Sequence, residues 1–114
     1  MKQYMMLFLG ADYDELGLTP EQIQDRMGKW FAWGDKMRKS DVLIGGEALH
    51  AGGKRITGKD RIVTDGPFVE SKELIGGYYT VKAENFEEVQ KIAEDFPDYD
   101  LGGAVEIREV VNFG

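Results

Sequence analysis

Hydrophobic positions divide the chain into short stretches with two different periods. Tyr4 to Leu9 is apolar at every position, the pattern of a strand covered on both faces. Thr19-Pro20-Glu21-Gln22 follows, with a capping threonine, a proline suited to the first helical turn and a glutamine that completes a capping box. From there Ile23, Met27, Trp30, Phe31, Gly34 and Met37 recur at helical spacing. Asp25, Lys29, Asp35 and Lys36 fall on the opposite side, so the pattern predicts an amphipathic helix running to Lys39.

Val42 to Leu49 reads as a second long strand interrupted by Gly45-Gly46. Lys54–Thr57 and Arg61–Thr64, joined by Gly58-Lys59-Asp60, read as a small exposed hairpin. Asp65-Gly66-Pro67-Phe68 is a turn signal, because glycine permits unusual dihedrals and proline fixes the next one. Ile75–Val81 is a further strand. Asn85 caps a second helix with Glu88 three residues on; Phe86, Val89, Ile92, Ala93 and Phe96 form its apolar face, and Pro97 ends it. In the last strand, Ala104–Val111, Val105, Ile107 and Val111 alternate with Glu106 and Arg108.

The order β-α-β, hairpin, β-α-β predicts an α+β chain of ferredoxin-like plan: an antiparallel sheet with both helices on one face. The other face is left bare, yet the strands starting at Tyr4 and Ile75 are apolar or aromatic on both sides. A bare apolar face calls for a cover, and a second copy of the same sheet is the simplest one, so a homodimer through the sheet face is expected.

Composition narrows this picture. At 114 residues the chain makes one domain, residues 1–114. The net charge of −7 repels phosphate backbones and acidic membranes, which argues against nucleic acid as a partner. Cysteine is absent, which excludes disulfides, thiol chemistry and Cys-ligated zinc. The apolar opening stops at Gly10-Ala11-Asp12, too soon for a signal peptide or a membrane span, and points to the cytoplasm. Glycine pairs are frequent, but none forms Gly-x-Gly-x-x-Gly and no Walker loop is present, so no nucleotide cofactor is expected.

The run Thr64-Asp65-Gly66-Pro67-Phe68-Val69-Glu70-Ser71-Lys72-Glu73-Leu74-Ile75-Gly76-Gly77-Tyr78-Tyr79 resembles the signature of the YCII-related, or DGPF-domain, family. Tyr4-Met5-Met6-Leu7, Leu43 to Leu49 and Gly102 to Arg108 fit the same pattern, so the resemblance spans nearly the whole chain. It implies a dimeric α+β barrel built from ferredoxin-like halves. Some relatives resemble enzymes of aromatic breakdown, and many DGPF members are associated with extracytoplasmic-function sigma factors. For the narrower YCII group the resemblance implies a catalytic His-Asp pair with its histidine on or near the first helix. This chain departs there: the stretch from Thr19 to Lys39 has no histidine, and Trp30 and Trp33 occupy its middle.

The sole histidine, His50, follows the strand that carries Glu47 and is the one side chain whose ordinary pKa lies near neutrality. With Glu47 and Asp65 it makes the candidate set for proton transfer; the competing reading is a loop histidine beside a turn in which Asp65 bonds its own backbone. Glu106 and Arg108 share the sheet face away from the apolar residues of their strand. There they either pair, in a network that takes in Glu47, or line a chamber between two sheets. Trp33, at the edge of the helical stripe, is a candidate to stack on a ligand, together with Phe68 and Tyr78. One histidine among scattered carboxylates is no metal-site pattern.

Two functions compete. One is a cofactor-independent enzyme or binder of a small organic molecule, held beside the sheet or between subunits. The other is a non-catalytic regulatory module tied to sigma-factor signalling, which the family resemblance suggests. Fold alone does not decide between them.

Overall fold

A computed structural model of the chain describes residues 1–66 and 74–114. Among these residues, six strands and two helices follow one another as β1 (Lys2–Leu9), α1 (Pro20–Lys39), β2 (Leu43–Ala48), β3 (Lys54–Thr57), β4 (Ile62–Asp65), β5 (Ile75–Ala83), α2 (Phe86–Ala93) and β6 (Ala104–Glu109). A single 3-10 turn, Tyr99–Leu101, lies between α2 and β6. The main sheet has the order β2-β5-β1-β6 with every pair antiparallel, the ferredoxin-like arrangement expected from the element order. Strands β3 and β4 form a separate two-stranded sheet.

Helix α1 starts as its sequence dictates. The Thr19 hydroxyl accepts from the Gln22 backbone N–H, and the Gln22 side chain accepts from the Thr19 N–H. Asn85 likewise caps α2 by accepting from the Glu88 N–H. Helix α2 closes at Ala93, three residues before Phe96. Phe96 reaches the core from the turn that follows instead of from the helix face.

The core lies between the helices and one face of the sheet. Tyr4, Met6 and Phe8 of β1 and Val81 and Ala83 of β5 meet Trp33 and Met37 of α1, Val89 and Ala93 of α2, and Phe96. Phe8 is the hub of an aromatic cluster, with ring centroids 5.0 Å from Trp30, 5.1 Å from Tyr79, 5.5 Å from Phe96 and 5.6 Å from Trp33. Edge-to-face and offset geometries of this kind add to the stabilisation from burial alone.

The apolar stripe of α1 is narrower than its period suggests. Phe31 is 67% exposed and Met27 is also exposed, because the helix covers the sheet with the face that carries Trp33, Gly34 and Met37. Trp33, expected at the edge of the stripe and open to a ligand, is only 3% exposed, and its indole N–H donates to the Ile92 carbonyl at 2.9 Å. It is a core residue, and the edge position belongs to Trp30.

The face of the main sheet away from the helices carries Met5, Leu7 and Tyr78 half-buried on its two central strands. Register places Glu47, Tyr78, Leu7 and Glu106 in one row across all four strands, with Arg108 beside Met5 in the next row. Apolar side chains thus run down the middle, and charges stand on the two edge strands.

Candidate functional site

A cavity of about 380 Å³ opens between α1 and the end of the sheet where β1 and β2 finish and β5 begins. Its volume falls within the range of small-molecule sites. Phe8, Trp30, Tyr79 and Phe96 give it aromatic walls, and Tyr13, Asp98 and Arg38 bring polar groups to its lining.

The segment after β1 places Tyr13, and the turn after α2 places Asp98. The Tyr13 hydroxyl lies 2.7 and 2.9 Å from the two Asp98 carboxylate oxygens and donates to that carboxylate. It also accepts from the Trp30 indole N–H at 3.0 Å. Behind Asp98 stands Arg26, whose guanidinium is 3.6 Å away and largely buried. Arg26 grips the Asp100 carboxylate with two hydrogen bonds of 2.7 Å and donates to the Pro97 carbonyl. Planar guanidinium–carboxylate pairing of this sort fixes geometry as well as charge. Chain packing completes the device: Gly103 donates its N–H to the Asp98 carbonyl at 3.0 Å, and a Cβ there would come within 2.9 Å of that same oxygen. Only glycine lets the 96–103 segment fold this tightly.

These contacts shift proton affinities. Burial, followed by the hydrogen bond to Asp98, holds the Tyr13 phenol well above the usual phenol range, so it stays protonated. Burial also raises the Tyr79 phenol, with the Arg38 charge pulling the other way. The hydrogen bond from Arg26 lowers the Asp100 carboxyl to about 2. Arg38 itself, on the cavity lining, is bonded to Asp35 at 2.9 Å on the exposed side of α1.

The residues singled out from sequence are spread over three places. Glu47 belongs to a stretch of β2 that borders the cavity, while its register puts its side on the open face with Tyr78. Glu47 and Glu106 are separated by two intervening strands, roughly 14 Å at ordinary strand spacing, so no network joins them within one chain. Asp65 lies in β4, exposed, with its carboxylate 2.7 Å from Lys54 Nζ. His50 is exposed beyond the end of β2. Phe68 lies outside the described residues. Among the described residues no three histidine or carboxylate side chains gather as a metal site would require.

Sequence alone did not point to Tyr13, Arg38 or Asp98, and it placed Trp30 in the core stripe of α1. Tyr13 and Asp98 are 85 residues apart and show no shared motif. Trp30 could have been noticed as the stripe residue with an N–H in need of an acceptor.

Residues 3–114 match the model of the YCII-related domain. The chain belongs to the YCII-related family. No curated protein matches it. Among solved structures it is similar to 5-chloro-2-hydroxyhydroquinone dehydrochlorinase from Burkholderia phenoliruptrix AC1100, in complex with 2,5-dihydroxybenzoquinone. That likeness has 15% identity over 96% of this chain and 93% of the other, with a TM-score of 0.48. Within the YCII-related family this chain carries Trp30 and Trp33 in the middle of α1 and no histidine anywhere on that helix. No described helix is long and apolar enough to cross a membrane.

Proposed function

We infer that the chain binds a small planar organic molecule, aromatic in kind, in the cavity between α1 and the sheet, as a binding protein or a cofactor-independent enzyme. The observation that carries this reading is an aromatic-walled cavity with the Tyr13–Asp98 pair set into its lining. Flat aromatic walls favour a flat ligand through stacking and edge contacts. Asp98 offers acceptor capacity to a ligand hydroxyl, and Arg38 offers donors to an acceptor group. Where such a ligand is turned over, Asp98 is the group suited to take a proton, with Arg26 and the Tyr13 hydroxyl to hold its position.

A thermal-shift and calorimetric screen with hydroxylated aromatic acids tests this. A molecule that binds the folded chain alone must raise its melting temperature, and the effect should disappear in Asp98→Asn or Trp30→Ala. A panel that shifts nothing, with the variants indistinguishable from wild type, removes the reading.

A homodimer through the open sheet face forms part of the same proposal. The apolar middle of that face, Met5, Leu7 and Tyr78, supports it. In such a dimer Glu47, Glu106 and Arg108 would stand around an inter-sheet chamber, and His50 would lie near its rim as a proton carrier. Sedimentation velocity is the check: Leu7→Glu should yield a monomer with intact far-ultraviolet circular dichroism, and a monomeric wild type rules the dimer out.

A further inference from the structure

The two-stranded sheet β3–β4 sets a problem of its own. Among the described residues it shares no ladder with the main sheet, and each of its strands has four residues. A lone hairpin of that size is at best marginally stable in water. Its apolar side chains are nonetheless turned outward: Ile56 is 67% exposed, Ile62 64% and Val63 57%. Ile56 and Val63 are direct cross-strand partners, so they form one small apolar ridge, with the Lys54–Asp65 ion pair beside it on the same face.

Charge is segregated in the same place. Residues 54–65 hold four basic side chains (Lys54, Arg55, Lys59, Arg61) and two acidic ones (Asp60, Asp65). The chain has 14 basic and 21 acidic residues, so ten basic against nineteen acidic remain elsewhere. The hairpin is therefore net positive by two and the rest of the chain net negative by nine. Opposite fields of this kind attract one copy's hairpin to the body of another, whereas among the described residues β3 and β4 share no strand ladder with the main sheet.

We propose that the β3–β4 hairpin is an arm that docks on the acidic body of a second copy of this chain, with Ile56 and Val63 as its apolar anchors and Lys59 and Arg61 as its steering charges. The hairpin leaves from β2, an edge strand of the main sheet, so it is placed to reach past its own sheet. The proposal holds whether or not the open sheet faces also meet.

The test is sedimentation equilibrium of the full chain at several salt concentrations. It compares wild type, the double variant Ile56→Ser with Val63→Ser, and the charge reversal Lys59→Glu with Arg61→Glu. These four positions are exposed, so melting curves should overlay and report intact folding. Each variant should raise the self-association constant Kd at least about tenfold, and added salt should weaken wild type more than the charge reversal. The chain has no cysteine, so Thr57→Cys accepts a single spin label, whose spectrum should broaden as copies associate and sharpen on dilution. A wild type that stays monomeric at about 100 µM overturns the proposal. So does a dimer whose Kd ignores both hairpin variants and leaves the Thr57 label mobile, the result expected where the sheet faces alone associate. Wild type that binds a polyanion such as heparin through these residues, and not itself, overturns it as well.

Discussion

The Tyr13 hydroxyl sits 2.7 and 2.9 Å from the Asp98 carboxylate oxygens, tying the segment after β1 to the turn after α2 across 85 residues of chain. The same hydroxyl accepts from Trp30, so one phenol oxygen joins both segments to α1. Much of the cavity wall depends on this junction.

Tyr13→Phe leaves the Trp30 N–H without its acceptor and Asp98 without its phenol donor. Loss of partners for partly buried groups costs roughly 1–3 kcal/mol. Urea denaturation should show a lower midpoint with an unchanged slope, and an equal midpoint would mean that the junction adds nothing to stability.

Alkaline pH should act through the same phenol. Tyr13, Tyr79 and Tyr99 all have folded-state pKa values raised by burial above the ordinary 10.0. The folded chain then holds those protons more tightly than the unfolded chain does. Their contribution is complete below about pH 10 and declines as pH rises beyond it towards the folded-state values. Thermal melts of wild type and Tyr13→Phe should converge as pH climbs above 10, and parallel curves would refute the coupling.

Acid acts on the other side of the network. Arg26 lowers Asp100 to about 2 from 3.8, so the folded state prefers this carboxylate charged. The stabilisation is present above pH 3.8 and is lost as pH falls towards 2. Urea midpoints measured through that window should fall less steeply for Asp100→Asn than for wild type.

Backbone approach at the cavity rim gives a sharper test. A Cβ on Gly77 would sit 2.7 Å from the Glu47 carbonyl oxygen, whereas one on Gly76 would meet nothing within 4 Å. Gly77→Ala should therefore cost roughly 1–3 kcal/mol as β2 and β5 are forced apart, and Gly76→Ala should cost much less. Equal losses in chemical denaturation would show that the strands yield freely.

The two tryptophans should separate by role. Trp33→Ala empties a core position and should cost roughly 3–5 kcal/mol. Trp30→Phe should keep the fold but abolish any change in fluorescence on ligand binding, since Trp30 lines the cavity and Trp33 is enclosed. A ligand response that survives Trp30→Phe would place the binding site elsewhere.

Local signals carried most of the fold. The helix caps, the helical and alternating periods and the Gly-Lys-Asp turn all act over a few residues, and each element appeared near its expected place. The period of α1 nevertheless misassigned Phe31 and Trp33. A period says which residues share a face, but which part of that face meets the sheet depends on the helix's rotation, which here turns Trp30 and Trp33 onto Phe8.

By itself the chain determined its elements, their order and hence the α+β plan, because hydrogen-bonding and capping rules are written in neighbouring residues. It also determined the charge imbalance between residues 54–65 and the remainder. Tertiary structure alone decided that Tyr13, Trp30 and Asp98 share one polar junction and that Glu47 and Glu106 stand on opposite edges of the sheet. Those relations arise from packing between segments far apart in sequence, where no periodic or neighbouring signal records which side chains will meet.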